Sequence, residues 1–313
     1  MWYHVQRKLV IPDARISRYI SVSANLFLMK HQNFMRHKGT YEPYTILRSN
    51  PSDCKLHIYP FFRDPEGLEE ARCISPNHGR SFIVGRTSSG RHIVSKGNGL
   101  SYTQHQLLNT REMGSDTWGL LLLPDAERDF ILGQEIQALG IKTNNMEYII
   151  ELDKEIMFDD GKCLKPILLQ YDVECPFRIC DAAFMTKEEI SSEVEKWKIL
   201  NHNQHKKNHL IAAEVVVKNL RILHDNNILH NAIHEQNYTW ALELLDFELA
   251  CSPQYPYTSE DSQRHAKDLF PREIIHSYRV VNYIAQVLRE DIDYSEIDAI
   301  FNKYDFNLSK FKL

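Results

Sequence analysis

The sequence predicts an α+β fold, in which a small, mostly antiparallel sheet with one helix comes before a larger helical part. Short strand-like runs, separated by Gly, Ser, Asn and Pro clusters, lie between about residues 55 and 123. Two long runs with helical periodicity follow at 187–203 and 210–227. This order is typical of α+β proteins rather than of alternating α/β units.

The first half of the chain supplies the predicted strands. They are KLHIYPFF, RSFIVGR, RHIVSKG and WGLLLLP and, after one helix, MEYIIELDKEI and KPILLQYDVE. Pro124 and Asp125 open that helix, apolar residues recur within it and Gly140 ends it, which predicts a helix over 125–139. We divide the chain into an N-terminal extension, a sheet part and a helical part, at 1–54, 55–155 and 156–313.

The composition indicates a folded globular protein, since 43% of the 313 residues are hydrophobic and 25% are charged. A net charge of -5 gives no basic surface for nucleic acid. The chain has no run of about eighteen apolar residues and no secretory leader, so we expect no membrane association and a cytoplasmic location. Its six cysteines form no CxxC pair, which favours reduced thiols over disulfides or zinc.

A candidate phosphate site lies at the end of the third predicted strand. Lys96 comes directly before Gly97 and is followed closely by Gly99, and glycines let a backbone approach a ligand. A lysine there can hold phosphate oxygens as a point charge. The alternative is an ordinary exposed lysine at a strand end.

The predicted helix carries two candidate partners for that lysine. Gln134 and Glu135 lie among its apolar positions, and a carboxylate facing the sheet could pair with Lys96 and orient it. The alternative is that Glu135 lies at the rim of the helix.

Asn237 and Asp246 are the candidate metal ligands. They lie nine positions apart, on either side of the predicted strand WALELL, and offer the hard oxygens that suit a magnesium-phosphate complex. The alternatives are an Asx-turn for the amide and a strand-end cap for the carboxylate. His230 and His234 are four positions apart but have no evident third zinc ligand.

Four segments together resemble the selenoprotein O family, whose members are protein adenylyltransferases with a protein-kinase-like fold. The segments are KGNGLSYT at 96–103, RDFILGQEIQALGIKT at 128–143, CPFR at 175–178 and ILHNAIHEQNYTWALELLDF at 228–247. Kinases carry a catalytic Asp two places after the His of this last segment. The family has an apolar residue there, as this chain has Ala232.

The resemblance implies a two-lobed kinase-like fold that binds ATP with Mg or Mn in a flipped orientation and passes AMP to a protein hydroxyl group. It implies that Lys96 and Arg178 hold phosphates and that Asn237 and Asp246 bind the metal. Gln236 stands at the position of the family's proposed base, and Glu235 is the nearest substitute because Gln accepts no proton.

The match has further departures. It places Gln134, not Glu135, opposite the lysine, Asp172 or Val173 at a second arginine position, and Glu248 at the position of a Gly. An atypical kinase that transfers the γ-phosphate and a non-catalytic pseudokinase stay open as alternatives.

Overall fold

A computed structural model describes residues 44–50, 56, 72–73, 81–98, 121–153, 155–157, 161, 163–200, 207–256 and 260–308 of the chain. The predicted strand KLHIYPFF lies outside these residues except for Leu56, as do Gly99 and the start of WGLLLLP.

The first part of the described chain is a sheet with one helix. Its strands are β1 (Tyr44–Ser49), β2 (Arg72–Cys73), β3 (Ser81–Arg86), β4 (His92–Lys96), β5 (Asn145–Leu152) and β8 (Ile167–Val173), and α1 (Leu123–Ala138) lies between β4 and β5. A separate small pair consists of β6 (Ile156–Met157) and β7 (Cys163–Leu164).

The six strands form one antiparallel sheet with the order β1-β5-β8-β4-β3-β2. The central strand β8 is buried along its whole length, including its two polar residues Gln170 and Asp172. The sheet begins at β1, inside the segment 1–54 that the sequence assigned to an extension.

The rest of the described chain is mainly helical. After a 3-10 helix (Ile179–Phe184) come α2 (Lys187–Leu200), α3 (Asn208–Asp225), α4 (Glu260–Leu288) and α5 (Tyr294–Lys303). The predicted α+β fold, with the antiparallel sheet first and the helices later, is confirmed. None of the helices found in the described ranges combines the length and the apolar character needed to cross a membrane.

Sheet and helices share one hydrophobic core. Val94, Ile149 and Leu169 of the sheet belong to the same buried cluster as Val216 and Ile284 of the helices. Because the core is continuous, the strands and the loops after α3 are held in a fixed relation by close packing.

Helix α1 packs closely on the sheet. Gly133 lies on its buried face, where a Cβ atom would come within 2.7 Å of Met146 Cε and 3.3 Å of Phe247 Cδ2. The helix therefore approaches both β5 and the residue after Asp246 more closely than a larger residue would allow.

The segment WALELL was predicted as a strand, and this prediction was wrong. Residues 240–245 form a tight turn with two isolated bridges, from Leu244 to Tyr238 and to Thr143, and Leu242 has a φ of 57°. The apolar run reflects complete burial of this turn rather than strand pairing.

Candidate functional site

Lys96 ends β4 in the centre of the sheet, with β3 on one side and β8 on the other. Gly97 follows with a φ of +96°, and a Cβ atom there would overlap the carbonyl oxygen of Ile167. A residue with a side chain does not fit this turn. Gly97 therefore allows the chain to turn out of the sheet directly after Lys96.

The Lys96 ammonium group lies among three carboxylates. Its Nζ is 2.8 Å from Asp129 Oδ2, 2.9 Å from Asp246 Oδ1 and 2.6 Å from Glu248 Oε1. Lys96 is 2% exposed and Asp129 is 1% exposed. We call these four residues the lysine cluster. The cluster brings a strand, a helix and a later loop to one point.

The partner of Lys96 on helix α1 differs from both sequence candidates. Asp129 makes the ion pair, five and six positions before Gln134 and Glu135, so neither of those residues occupies the lysine-pairing position. The Glu135 carboxylate instead accepts a hydrogen bond from Ser252 Oγ at 2.8 Å. A small rotation of the helix could not bring either residue to the lysine, because positions five and six residues further on point roughly 120–140° away around the helix axis.

Asp129 also holds the loop that carries Asp246. Its Oδ1 accepts a hydrogen bond from the backbone N–H of Phe247 at 2.9 Å. Burial raises the pKa of Asp129 above its ordinary value, the charges of Asp246 and Glu248 raise it further, and Lys96 lowers it. The buried carboxylate of Asp129 therefore links Lys96 to the loop that carries Asp246, the candidate metal ligand.

The loop at 228–237 is fixed from two sides. Its buried His230 donates from Nε2 to the carbonyl of Leu245 at 2.9 Å, and burial lowers the pKa of this imidazole. Glu273 of α4 accepts the backbone N–H of Asn231 at 2.6 Å. His230 therefore has a structural role in this loop.

The side chain of Arg178, which comes before the helices, contacts this loop and Asp246. Its Nη1 donates to the carbonyl of Gln236 at 2.8 Å and to Asn237 Oδ1 at 3.1 Å, and lies 3.7 Å from Asp246 Oδ2. The backbone beside it runs along the loop, since Ile179 N–H donates to the Tyr238 carbonyl at 2.8 Å. The guanidinium group is thus placed by backbone pairing as well as by its own contacts.

The two predicted metal ligands are brought together. Because the same Arg178 nitrogen contacts both, Asn237 Oδ1 and Asp246 Oδ2 are at most about 7 Å apart. Hydrated Mg²⁺ held through one or two protein oxygens and several waters suits such a pair. Asp246 has a φ of 69°, a conformation that costs energy for a residue with a side chain and is common at functional sites.

Among the described residues, we see no contact that holds the side chain of either candidate base, Glu235 or Gln236, at the lysine cluster. Gln236 is exposed and contributes its carbonyl to Arg178, whereas half-buried Glu235 contributes its carbonyl to the N–H of Cys180 at 3.2 Å. Asn237 Nδ2 donates to the carbonyl of Ala232 at 2.9 Å, so position 232 borders the metal-ligand pair without a carboxylate.

A second buried ion cluster lies behind the loop. The Glu243 carboxylate accepts from Arg91 Nη2 at 2.9 Å, from Thr239 Oγ at 3.1 Å, and from the N–H groups of Glu174 and Cys175 at 2.9 Å and 3.3 Å. Arg91 also pairs with Asp172. We call this the Glu243 cluster. Sequence reasoning missed it, apart from noting Asp172 where a second arginine was expected.

The sequence order and the geometry together are those of a protein kinase-like fold. In kinases a strand lysine pairs with a carboxylate of the following helix, and an Asn and an Asp further on hold the metal ions. Here Lys96 pairs with Asp129, and Asn237 and Asp246 follow on one loop.

No protein-family model matches the chain, and no curated protein matches it either. Among solved structures, a "Toxoplasma gondii specific rhoptry antigen kinase domain" is similar, with a TM-score of 0.40 and 10% sequence identity. The similarity covers 73% of this chain and 72% of that chain.

Proposed function

We propose that the protein binds ATP with Mg or Mn at this site and transfers AMP to hydroxyl groups of protein substrates. Lys96 and Arg178 hold phosphate oxygens in this proposal, and Asn237 and Asp246 bind the metal. A metal bound there neutralises part of the phosphate charge. All of the proposed ligands are hard oxygens, which is the preference of these ions.

The position of Arg178 is the observation that carries the proposal. In protein kinases an Asp on this loop accepts the proton of the substrate hydroxyl beside the γ-phosphate. This chain has Ala232 instead, and a guanidinium group lies against the neighbouring metal ligands. A cation at that place suits bound phosphate and not proton abstraction, and guanidinium forks match phosphate oxygens well.

The reaction would then take place at the α-phosphorus. The oxygen of a substrate hydroxyl attacks that phosphorus, the bond to the oxygen bridging the α- and β-phosphates breaks, and pyrophosphate leaves. The hydroxyl proton passes to a base, for which Glu235 is the nearest candidate because Gln236 cannot accept it. The main contribution of the protein is positioning and charge neutralisation.

A non-catalytic scaffold is the second candidate, and the lysine cluster favours it. Lys96 already pairs with three carboxylates of its own chain, and this arrangement does not require a bound ligand. Such a protein would bind nucleotide without transferring any part of it and would act through partners on its surface.

Parallel labelling with ATP carrying the label on the α-phosphate or on the γ-phosphate separates these functions. We expect label on the protein or on lysate proteins from the α-position only. Arg178→Ala should abolish it, and Glu235→Ala should lower the rate about 10²-fold if this carboxylate is the base. Arg48→Ala, which removes an arginine paired with Glu127 at the sheet edge, is the matched control and should keep the activity.

Two other labelling results would each identify a different function. Label from the γ-phosphate would make the protein a kinase, and ATP binding without any transfer would make it a pseudokinase. Asp246→Ala should remove metal-dependent ATP binding more completely than Lys96→Ala does, because the metal loses a carboxylate. If calorimetry detects no ATP binding with either metal, the proposal is wrong.

A further inference from the structure

We propose that His224, in the last turn of α3, is a positioning residue for the two candidate metal ligands. It acts through Glu273 of α4 rather than by contact with a metal or a substrate. The inference rests on the proposed function only for the role of Asn237 and Asp246 as metal ligands. Its own basis is a series of hydrogen bonds that leads from His224 to the loop at 228–237.

The series begins with a buried histidine and a buried carboxylate. His224 Nε2 lies 3.0 Å from Glu273 Oε2, and the two side chains are 8% and 3% exposed. An ionised carboxylate has no proton to give, so the imidazole nitrogen is the donor. The His224 ring packs edge-on with Phe270 and Phe306, at centroid distances of 4.6 Å and 5.7 Å. Packing therefore fixes the position of the donor.

Glu273 uses its other carboxylate oxygen to hold the loop. Oε1 accepts the backbone N–H of Asn231 at 2.6 Å, whereas Oε2 is the oxygen that meets His224. The last torsion of a glutamate side chain has broad preferences, so one hydrogen bond alone leaves the plane of the carboxylate free to turn. Hydrogen bonds at both oxygens fix that plane. Asn231 has a φ of 62°, a conformation that persists where the surrounding structure holds it.

The held backbone leads directly to the first candidate metal ligand. The residue after Asn231 is Ala232, whose carbonyl accepts Asn237 Nδ2 at 2.9 Å. Because the nitrogen of this amide group is held there, its oxygen Oδ1, the proposed ligand atom, has a defined direction. If Asn231 shifts, the Ala232 carbonyl shifts with it, and Asn237 loses the contact that orients its Oδ1.

The residue before Asn231 leads to the second candidate ligand. His230 Nε2 lies 2.9 Å from the carbonyl of Leu245, and Leu245 directly precedes Asp246. Groups behind a metal site that orient its ligands typically change metal affinity about 10–100-fold when they are replaced. We therefore expect loss of the His224 donor to weaken metal-dependent binding.

Three substitutions at position 224 separate the hydrogen bond from the packing of the ring. His224→Gln places an amide N–H at the same number of bonds from Cα as Nε2, His224→Asn offers the same amide one carbon shorter, and His224→Phe keeps a ring without a donor. We expect calorimetric titration with Mg-ATP to show about tenfold weaker binding for His224→Phe and His224→Asn, and binding within about twofold of wild type for His224→Gln. Lys218→Gln, at an exposed position of the same helix, is the control and should bind like wild type.

Hydrogen exchange of the Asn231 amide tests the same contact without any ligand. Relative to the other amides of α3, we expect this N–H to exchange about tenfold faster in His224→Phe and His224→Asn than in wild type, and at the wild-type rate in His224→Gln. Urea denaturation of each variant separates this local opening from a loss of global stability. An unchanged exchange rate of the Asn231 N–H in His224→Asn would overturn the inference.

The two measurements distinguish failure of the inference from failure of the proposed function. If wild type binds Mg-ATP and all three variants bind it equally well, the inference is wrong and the proposed function stands. If wild type does not bind Mg-ATP, the proposed function is wrong, and the exchange rate of the Asn231 N–H alone decides the inference. Should His224→Phe fail to fold, the comparison of His224→Asn with His224→Gln gives the same decision, since both variants lack the ring.

Discussion

The lysine cluster and the Glu243 cluster both join the sheet to the loop of the candidate metal ligands, yet they are built differently. In the lysine cluster one ammonium group meets three carboxylates through side-chain contacts, and one of these carboxylates, that of Asp129, also accepts the backbone N–H of Phe247. In the Glu243 cluster one carboxylate meets a guanidinium group, a hydroxyl group and two backbone N–H groups.

The difference separates an adjustable contact from a fixed one. A side chain can exchange partners by rotating, whereas backbone N–H groups move only with the chain. Glu174 and Cys175 lie in the connection between the sheet and the helices, so the Glu243 cluster fixes how the two parts meet. The contacts of Lys96 in the lysine cluster, which is the proposed ligand site, are between side chains and can change by side-chain rotation.

Of the substitutions that test this difference, replacement of Glu243 should lower the free energy of unfolding most. Glu243→Ala leaves Arg91 and two backbone N–H groups without their buried acceptor, and we expect the free energy of unfolding to fall by about 3–5 kcal/mol. Urea denaturation measures this loss. Glu127→Ala, at an exposed pair, should change the value by less than about 1 kcal/mol. Equal effects in the two variants would contradict the distinction.

Removal of Lys96 should have a smaller effect, and one that depends on pH. In Lys96→Met, Asp129 loses the cation that lowers its pKa, so burial raises that pKa further above the unfolded value. The folded protein then holds a proton that the unfolded chain releases, and stability falls as pH rises through this interval.

We expect Lys96→Met to lose about 2–3 kcal/mol at pH 8 and clearly less at pH 5, because the buried carboxylates escape their charge by protonation. Urea denaturation at the two pH values measures both losses. Lys198→Met, at an exposed pair with Glu195, should show a small loss at either pH. A loss for Lys96→Met that does not change with pH would contradict the adjustable character of the cluster.

Glu290 sharpens the comparison, because it is also held by backbone groups but lies nearer the surface. Its carboxylate accepts the N–H groups of Asn208 and His209 at the start of α3 and contacts His209 Nδ1 at 2.7 Å. Burial alone would raise the pKa of Glu290, but the hydrogen bonds outweigh it and lower that pKa to about 2.

Glu290→Gln should therefore cost about 1–2 kcal/mol at pH 7, as the loss of a charged helix cap does. A carboxyl whose pKa is depressed stabilises the fold above its unfolded pKa and loses that contribution as pH falls toward its folded pKa of about 2. Thermal denaturation should thus show wild type and variant converging in acid. A difference that persists unchanged at pH 2 would mean that the charge is not responsible.

The elements of the fold were largely predictable from the sequence. The helix predicted over 125–139 is α1, and the predicted strands RSFIVGR, RHIVSKG and KPILLQYDVE contain β3, β4 and β8. These segments have strong local periodicity and clear Gly or Pro boundaries, which is the information that a single sequence carries.

The choice of partner for Lys96 was not predicted correctly, although a signal was present. Asp129 lies three positions after Ala126 and four before Gly133, on the buried face of α1. A carboxylate on an apolar stripe requires a buried cation, since an unpaired charge is costly there. The residues predicted from the sequence were instead Glu135, as a carboxylate of the helix, and Gln134, from the resemblance to the family.

The Glu243 cluster had no local signal at all. Arg91 and Glu243 are 152 residues apart, and an acidic residue in an apolar run has no unique partner in the sequence. Only the closed fold brings the two together with Glu174 and Cys175.

The distance in sequence between Arg91 and Glu243 affects the order in which the chain folds. A contact between residues 152 positions apart forms only after a very long loop has closed, and the entropy of closing it delays such contacts during folding. We therefore expect the turn between Asn237 and Asp246 to reach its final shape after the sheet and α3 have docked. A nascent chain still short of residue 246 lacks one of the two proposed metal ligands, so under the proposed function we expect nucleotide not to assist the folding of its earlier segments during synthesis.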